Sequence, residues 1–223
     1  MAAEQITLAA EDGHTLTAWL AEPQGDAKGG VVVLHAVYGA TPHMGDVCAK
    51  WAQAGYRAVA PALFDRLEPG LVFPYSAPAE GGKRYAALSE DQIFADIRAA
   101  AAKANPDGPA VISGFCSGGT WAWRAAARED MTFTAHATFY GSHIAQHIEL
   151  TPRCPTILHY GTADHVVPLA TVEEIAVRHP EAEVHVYPGA GHAFFNPAQE
   201  TYNAEAAALA WERTVGFLEQ TLD

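Results

Sequence analysis

The sequence predicts an α/β fold in which a mostly parallel central sheet of about eight strands carries helices on both faces. Short β-rich runs alternate with stretches of helical periodicity along most of the chain, the pattern of parallel strands joined by crossover helices. The first two runs are instead separated by "EDGH", a hairpin-like turn that gives the sheet an antiparallel start. With 223 residues, 49% of them apolar and 17% charged, the chain can bury one large core, so a single domain over 1–223 is expected.

In chain order, "EQITLAA" and "TLTAWLAEP" are the opening strands and "GVVVLHA" the third. Helical periodicity covers 44–54, and "YRAVAPAL" is the next strand. Residues 62–87, "ALFDRLEPGLVFPYSAPAEGGKRYAA", are the one long non-periodic segment, rich in Pro and Gly, and read as a lid or binding loop. Helical periodicity returns at 89–104, after which "PAVISGF" reads as a buried strand feeding a helix over 119–128. The strands "AHATFYGS", "PTILHYG" and "AEVHVYPG" follow, with helices expected over 169–178 and 199–222. In open sheets of this kind the working site lies beyond the carboxyl ends of the strands, so the residues just after each strand carry the functional information.

Composition excludes several classes of function. Twenty-six acidic against 13 basic residues give a formal charge of −13, which repels polyphosphate backbones and anionic membrane surfaces; neither nucleic acid nor a membrane is an expected partner. Apolar runs such as 31–34 fall far short of the roughly 20 residues that span a bilayer. The start "MAAEQITLAAEDG" lacks the basic and apolar stretches of a signal peptide, which makes the cytoplasm the expected location. The Gly-rich turns lack the context of dinucleotide or phosphate loops, and no cofactor is expected. His143 and His147 have the spacing of helical metal ligands but lack the Glu of HExxH, and no metal is expected either. The three cysteines are odd in number and widely spaced, so they signal neither a disulfide framework nor a zinc site. Cys48 and Cys154 read as buried packing residues.

Cys116 reads differently. In "SGFCSGGTW" it stands between glycines where a strand turns into a helix, the setting of a nucleophile elbow whose central side chain projects into the crevice. A thiol at a helix N-terminus is stabilised as thiolate by the unpaired amides and the helix dipole. Ser117 is one position off, so its side chain is expected to point away while its backbone N–H serves as an oxyanion donor. Asp164 follows the strand "PTILHY" in "GTADHVVP", and His192 lies in "AGHAFFNP" before the last helix. The order nucleophile, acid, histidine fits a triad in which His192 moves the proton and Asp164 fixes its tautomer. His159 and His185 lie within strand runs and read as core or strand-face residues, and His165 as a solvated loop side chain. The second oxyanion donor falls in the turn "HAVYG", at the Val37 amide.

These residues resemble the dienelactone hydrolase family, cysteine hydrolases of the α/β-hydrolase fold. The resemblance rests on "GFCSGG", "GTADHVVP", "GAGHAFFNP" and "VVVLHAVYGATPHMGDVCAKWAQAGYRAVAPALFDR", and covers most of 14–217. It implies hydrolysis of a small-molecule carboxylic ester or lactone through a thioester on Cys116, by a monomer or small homo-oligomer. Three positions depart from the family pattern. Ala36 stands where relatives commonly carry a Glu that holds the cysteine in reserve, so Cys116 and His192 are expected to rest as a thiolate–imidazolium pair. Asn196 stands where the dienelactone enzymes tend to offer an arginine to a substrate carboxylate, and Lys83 and Arg84 are candidate replacements. His35 flanks Ala36 and reads as a satisfied strand-end histidine. Tyr38, Tyr85 and Phe194 are candidate pocket walls, and Trp121 and Trp123 candidate core residues. Two alternatives stand beside hydrolysis: a catalytically silent scaffold with a redox-sensitive Cys116, and acyl transfer to an acceptor other than water.

Overall fold

The computed structural model describes residues 1–222. Eight strands form one mixed sheet: β1 (Glu4–Ala9), β2 (Thr15–Ala21), β3 (Gly30–Leu34), β4 (Arg57–Pro61), β5 (Ala110–Phe115), β6 (Phe133–Phe139), β7 (Thr156–Gly161) and β8 (Glu183–Tyr187). Their order across the sheet is β1-β2-β4-β3-β5-β6-β7-β8. β1 pairs antiparallel with β2, as the "EDGH" hairpin requires, and β2 pairs antiparallel with β4; β3/β4, β6/β7 and β7/β8 are parallel. Every residue of β3, β5 and β7 is buried, which only cover on both faces of the sheet achieves. The helices are α1 (Pro42–Gln53), α2 (Pro78–Ala87), α3 (Glu90–Ala104), α4 (Ser117–Ala126), α5 (Leu169–Arg178) and α6 (Ala204–Leu222). No helix among the described residues is long and apolar enough to cross a membrane.

The chain divides into two compact units, Met1–Val111 and Ile112–Asp223. In the first, α3 begins with a capping box: the Ser89 side chain accepts from the Gln92 amide while the Gln92 side chain accepts from the Ser89 amide. A buried ion pair ties this helix to the turn after β4, with the Arg66 guanidinium donating Nε to Asp96 Oδ2 at 3.0 Å and Nη2 to Oδ1 at 2.8 Å. In the second unit a cluster built on Trp123, Leu158, Tyr160, Val172 and Ile175 packs α4 and α5 beside β7.

The segment 62–87, read from its sequence as non-periodic, is partly regular. It holds a 3-10 turn, Leu63–Arg66, and the ten-residue helix α2. Pro78 starts that helix, where its missing N–H costs nothing, and Tyr85 is buried. Gly81 and Gly82 weaken the helical signal, yet they differ in surroundings. A Cβ at Gly81 would lie 1.6 Å from the Val37 carbonyl oxygen, whereas one at Gly82 would meet nothing within 4 Å. Gly82→Ala is therefore expected to raise the melting temperature by a few degrees, about 1 kcal/mol of helix propensity. Gly81→Ala is expected to lower it, because the helix must leave the Val37 carbonyl. Thermal melts of the pair check this; equal melting temperatures would contradict the packing.

Candidate active site

The second unit holds Cys116, Asp164 and His192, with the Asp164 carboxylate in contact with the His192 ring. β5 runs straight into α4, and the one residue between them is Cys116, with φ 53° and ψ −120°. A β-carbon there is strained in the left-handed region, and such strain persists only where the surroundings fix it. The glycines around it supply the fixing. A Cβ at Gly114 would sit 2.3 Å from the Gly118 carbonyl oxygen, and one at Gly119 would sit 2.5 Å from Thr138 Cγ2. The Cys116 amide donates to Phe139 O at 3.1 Å, and its carbonyl accepts from the Gly119, Thr120 and Ser142 amides.

Asp164 and His192 are held by the turns beyond β7 and β8. Gly161 permits the close passage of the two turns, since a Cβ there would be 2.0 Å from the Ala190 carbonyl oxygen. The Asp164 Oδ1 accepts from the Val166 and Val167 amides at 2.7 and 2.9 Å, and Oδ2 lies 2.8 Å from His192 Nδ1. With its carboxylate ionised, Asp164 accepts Nδ1–H and leaves Nε2 as the basic nitrogen. The Thr201 hydroxyl donates to the His192 carbonyl, and Ala193 follows in the left-handed region at φ 63°.

The electrostatics couple all three. Burial pushes the Asp164 carboxyl up, but His192 and the two amides outweigh it and leave the group below its ordinary range. Burial pushes the His192 imidazole down, but Asp164 and the Cys116 sulfur raise it to about 9. Burial pushes the Cys116 thiol up, but His192, then Ser142 and Ser117, carry it below its ordinary value. The charges of the imidazole and the sulfur act on one another, and Nε2 makes no hydrogen bond within the protein. Catalytic contacts are often this loose before substrate binds.

One local expectation is corrected. The Ser117 hydroxyl does not point away: its Oγ lies 3.9 Å from the Cys116 sulfur. The residue is the first of α4, so its side chain rises beside the nucleophile rather than alternating away as it would on a strand.

The remaining candidates fall at varied places. Phe194 is wholly buried, 5.4 Å from the Tyr140 ring and 5.3 Å from the Tyr187 ring. Asn196 is buried and its Oδ1 accepts from the Ala198 amide at 3.0 Å, closing a turn. In the first unit, Ala36, Val37 and Tyr38 form the turn after β3, where the Gly39 amide donates to Ala36 O at 3.2 Å. Tyr38 packs edge-on against Tyr75. The Tyr85 hydroxyl donates to the His35 carbonyl at 2.6 Å. His35 is a satisfied buried residue, accepting from the Leu63 amide at Nε2 and facing Ala36 O at Nδ1. Lys83 is exposed and ion-paired with Glu80 at 2.7 Å, and Arg84 is exposed on the same helix. His159 bonds Tyr187 and Thr214, and His185 pairs with Glu183. Trp123 is core, whereas Trp121 lies under the Arg124 guanidinium and is only half-buried.

Sequence reasoning missed Tyr140, whose ring packs against that of His192. Tyr140 turns the chain at φ 44° and sets its ring 5.1 Å from that of His192. The signal available was position: "FYGSH" follows β6 directly, at a carboxyl end.

Comparison with known proteins adds an independent line. A family model described as "Dienelactone hydrolase family" matches residues 16–222. The chain is 32% identical over 221 residues to a provisionally named carboxymethylenebutenolidase of Synechocystis, covering 89% of each protein. It is 29% identical over 233 residues to a carboxymethylenebutenolidase of Pseudomonas putida, covering 98% of this chain and 97% of that one. The crystal structure of a provisionally assigned dienelactone hydrolase from Klebsiella pneumoniae matches with a TM-score of 0.79 at 27% identity, over 97% of this chain and 99% of that one.

Proposed function

This chain belongs to the dienelactone hydrolase family, has the α/β-hydrolase fold and is an ester or lactone hydrolase, and on that premise we propose that Cys116, His192 and Asp164 carry the reaction through a thioester. The observation that carries the proposal is the 2.8 Å contact between Asp164 Oδ2 and His192 Nδ1 in the same unit as a thiol strained at a helix N-terminus.

The Cys116 thiolate attacks the carbonyl carbon, and the π electrons move onto oxygen, where the Ser117 backbone N–H meets the developing charge. As the C=O bond re-forms, the C–O bond to the leaving alcohol breaks and the His192 imidazolium gives its Nε2 proton to the departing oxygen. The neutral imidazole then takes a proton from water, whose oxygen attacks the thioester carbon. Collapse of that second intermediate expels the Cys116 thiolate and releases the carboxylic acid, which gives its proton to bulk water, with Asp164 holding the Nδ1–H tautomer throughout.

The substrates we propose are neutral small esters and lactones. A buried anion needs a partnered cation, whereas the Asn196 amide oxygen is used by Ala198 and Lys83 is paired in solvent with Glu80. The formal charge of −13 further disfavours anions. Matched esters with and without a carboxylate test this: the neutral member is expected to show about tenfold or greater kcat/KM, and a faster anionic member would contradict it. For the neutral substrate, kcat/KM is expected to follow a bell, with an alkaline limb near the His192 value of about 9. Its acid limb falls below the ordinary thiol range, because the sulfur and imidazole titrate as a pair. An acid limb at the ordinary thiol value would count against the resting ion pair.

A further inference from the structure

Among the described residues three that are not glycine adopt a positive φ: Cys116 at 53°, Tyr140 at 44° and Ala193 at 63°. A β-carbon makes that conformation costly, and it persists only where the surroundings hold it. Tyr140 links the other two. It follows β6 directly, and its flanks are fastened to the backbone of the nucleophile: the Cys116 amide donates to Phe139 O at 3.1 Å, and the Ser142 amide donates to Cys116 O at 3.2 Å. Its own amide donates to His159 O at 2.7 Å, and Gly141 leaves no slack behind it, since a Cβ there would lie 2.6 Å from Ile144 Cδ1 and 2.8 Å from Thr138 Cγ2. The Tyr140 ring is buried and meets the His192 ring at 5.1 Å, with 63° between the planes, and the Phe194 ring at 5.4 Å and 72°. Left-handed Ala193 stands between those two residues, so the loop after β8 bends to bring both of their rings onto Tyr140.

We propose that Tyr140 is a positioning residue for the hydrolysis, its ring setting the plane of the His192 imidazole in the frame of the Cys116 backbone to which Tyr140 is tied. The Asp164 carboxylate holds the imidazole at one atom, Nδ1, at 2.8 Å. A single hydrogen bond leaves the ring free to tilt, and a tilt turns Nε2, the atom that moves the proton, off line. A second ring packed against the imidazole removes that freedom. Because both flanks of Tyr140 are bonded to Cys116, base and nucleophile keep their alignment, and the strain at positions 140 and 193 is what this alignment costs. An aromatic ring this close also favours the charged imidazolium. The other influences on His192 are burial, which lowers it, and Asp164 and Cys116, which raise it. Two more histidines stand near: His143, in the Tyr140 loop, which burial and the His192 charge hold below its ordinary value, and His165, whose ring is 6.5 Å from that of His192. Tyr140 itself exchanges no proton in the reaction.

The inference rests on His192 as the base, and its tests separate the two. With p-nitrophenyl acetate, Tyr140→Leu is expected to lower kcat by roughly 100-fold, the cost of misplacing a catalytic group by about an ångström, with KM within about twofold, whereas Tyr140→Phe keeps the ring and stays within about threefold of the wild-type kcat. The His192 titration is read by NMR from its ring Cε1–H signal, assigned by the loss of that signal in His192→Ala. Its midpoint is expected near 9 in the wild type and in Tyr140→Phe, and about half a pH unit lower in Tyr140→Leu. A side chain that only filled space would lower the melting temperature and leave this midpoint where it is. Thermal melts monitor the fold, and if Tyr140→Leu does not fold, the wild type and Tyr140→Phe still decide: both are expected to show a nuclear Overhauser contact between the ring at position 140 and the His192 ring. An unchanged kcat or midpoint in Tyr140→Leu, a loss in Tyr140→Phe equal to that in Tyr140→Leu, or the absence of the ring contact would overturn the proposal while leaving His192 as base. Full activity in His192→Ala would remove the base itself, and the positioning role with it.

Discussion

Cys116→Ala is expected to cut kcat/KM for p-nitrophenyl acetate by roughly 10⁴-fold or more, to the level left by substrate binding and the oxyanion donors alone. The size follows from what is removed: the atom that forms the acyl bond and the anionic partner that holds His192 protonated. Asp164→Asn should cost roughly 10⁴-fold by another route. An amide oxygen at position 164 can still accept from the Val166 and Val167 amides, which occupy Oδ1 in the native carboxylate. That orientation turns its NH₂ toward His192 Nδ1, so the ring must put its proton on Nε2 and can no longer act as base there. Because the turn keeps its amide bonds, the melting temperature should change little while the rate collapses. A wild-type rate in either variant would remove the triad from the mechanism.

The second large effect concerns stability in mild acid. His35, His136 and His159 are fully buried, and burial lowers them to about 4, to about 3 and well below the ordinary value. Below pH 6.5 the unfolded chain takes up protons that the native chain refuses, so the unfolded state gains and stability falls. Each such histidine costs up to about 1.4 kcal/mol per pH unit, about 4 kcal/mol for the three, until the native residues begin to protonate near pH 4. Against a typical total of about 5–15 kcal/mol, the protein is expected to unfold before about pH 4.5. His192 does not offset this, because its raised value contributes stability that is already complete below 6.5 and is lost only as pH rises through about 9. Asp164 is lowered from 3.8 and so matters only below that. Urea unfolding across this range measures the slope. His136→Leu should flatten it by about a quarter, because His43, lowered by burial to about 4, adds a fourth such group, and the Thr138 hydroxyl keeps its bond to Gly119 O. A flat profile would mean that the native histidines protonate in place.

The same physics explains what was legible in the sequence. Cys116 could be read because an elbow needs small neighbours, and the Cβ contacts at Gly114 and Gly119 show why. Asp164 and His192 could be read because each follows a strand end in the order the fold imposes. Helix α2 was hidden because Gly81 and Gly82 erase helical propensity, one of them to admit the Val37 carbonyl. Tyr140 was invisible for a different reason: its place beside the His192 ring depends on a left-handed turn that no local pattern announces. Ser117 was misplaced because strand alternation was extended one residue too far, into the first turn of α4.

The most direct test is to find the acyl group. In His192→Ala at mildly alkaline pH the thiolate forms without its imidazole partner, but the attacking water has no base, so deacylation should lag behind acylation. Mixing this variant with p-nitrophenyl acetate, quenching in acid and mapping the peptides is expected to show one acetyl group on Cys116, labile to hydroxylamine as a thioester. An acetyl group on Ser117 or elsewhere, with Cys116 unmodified while product forms, would contradict it.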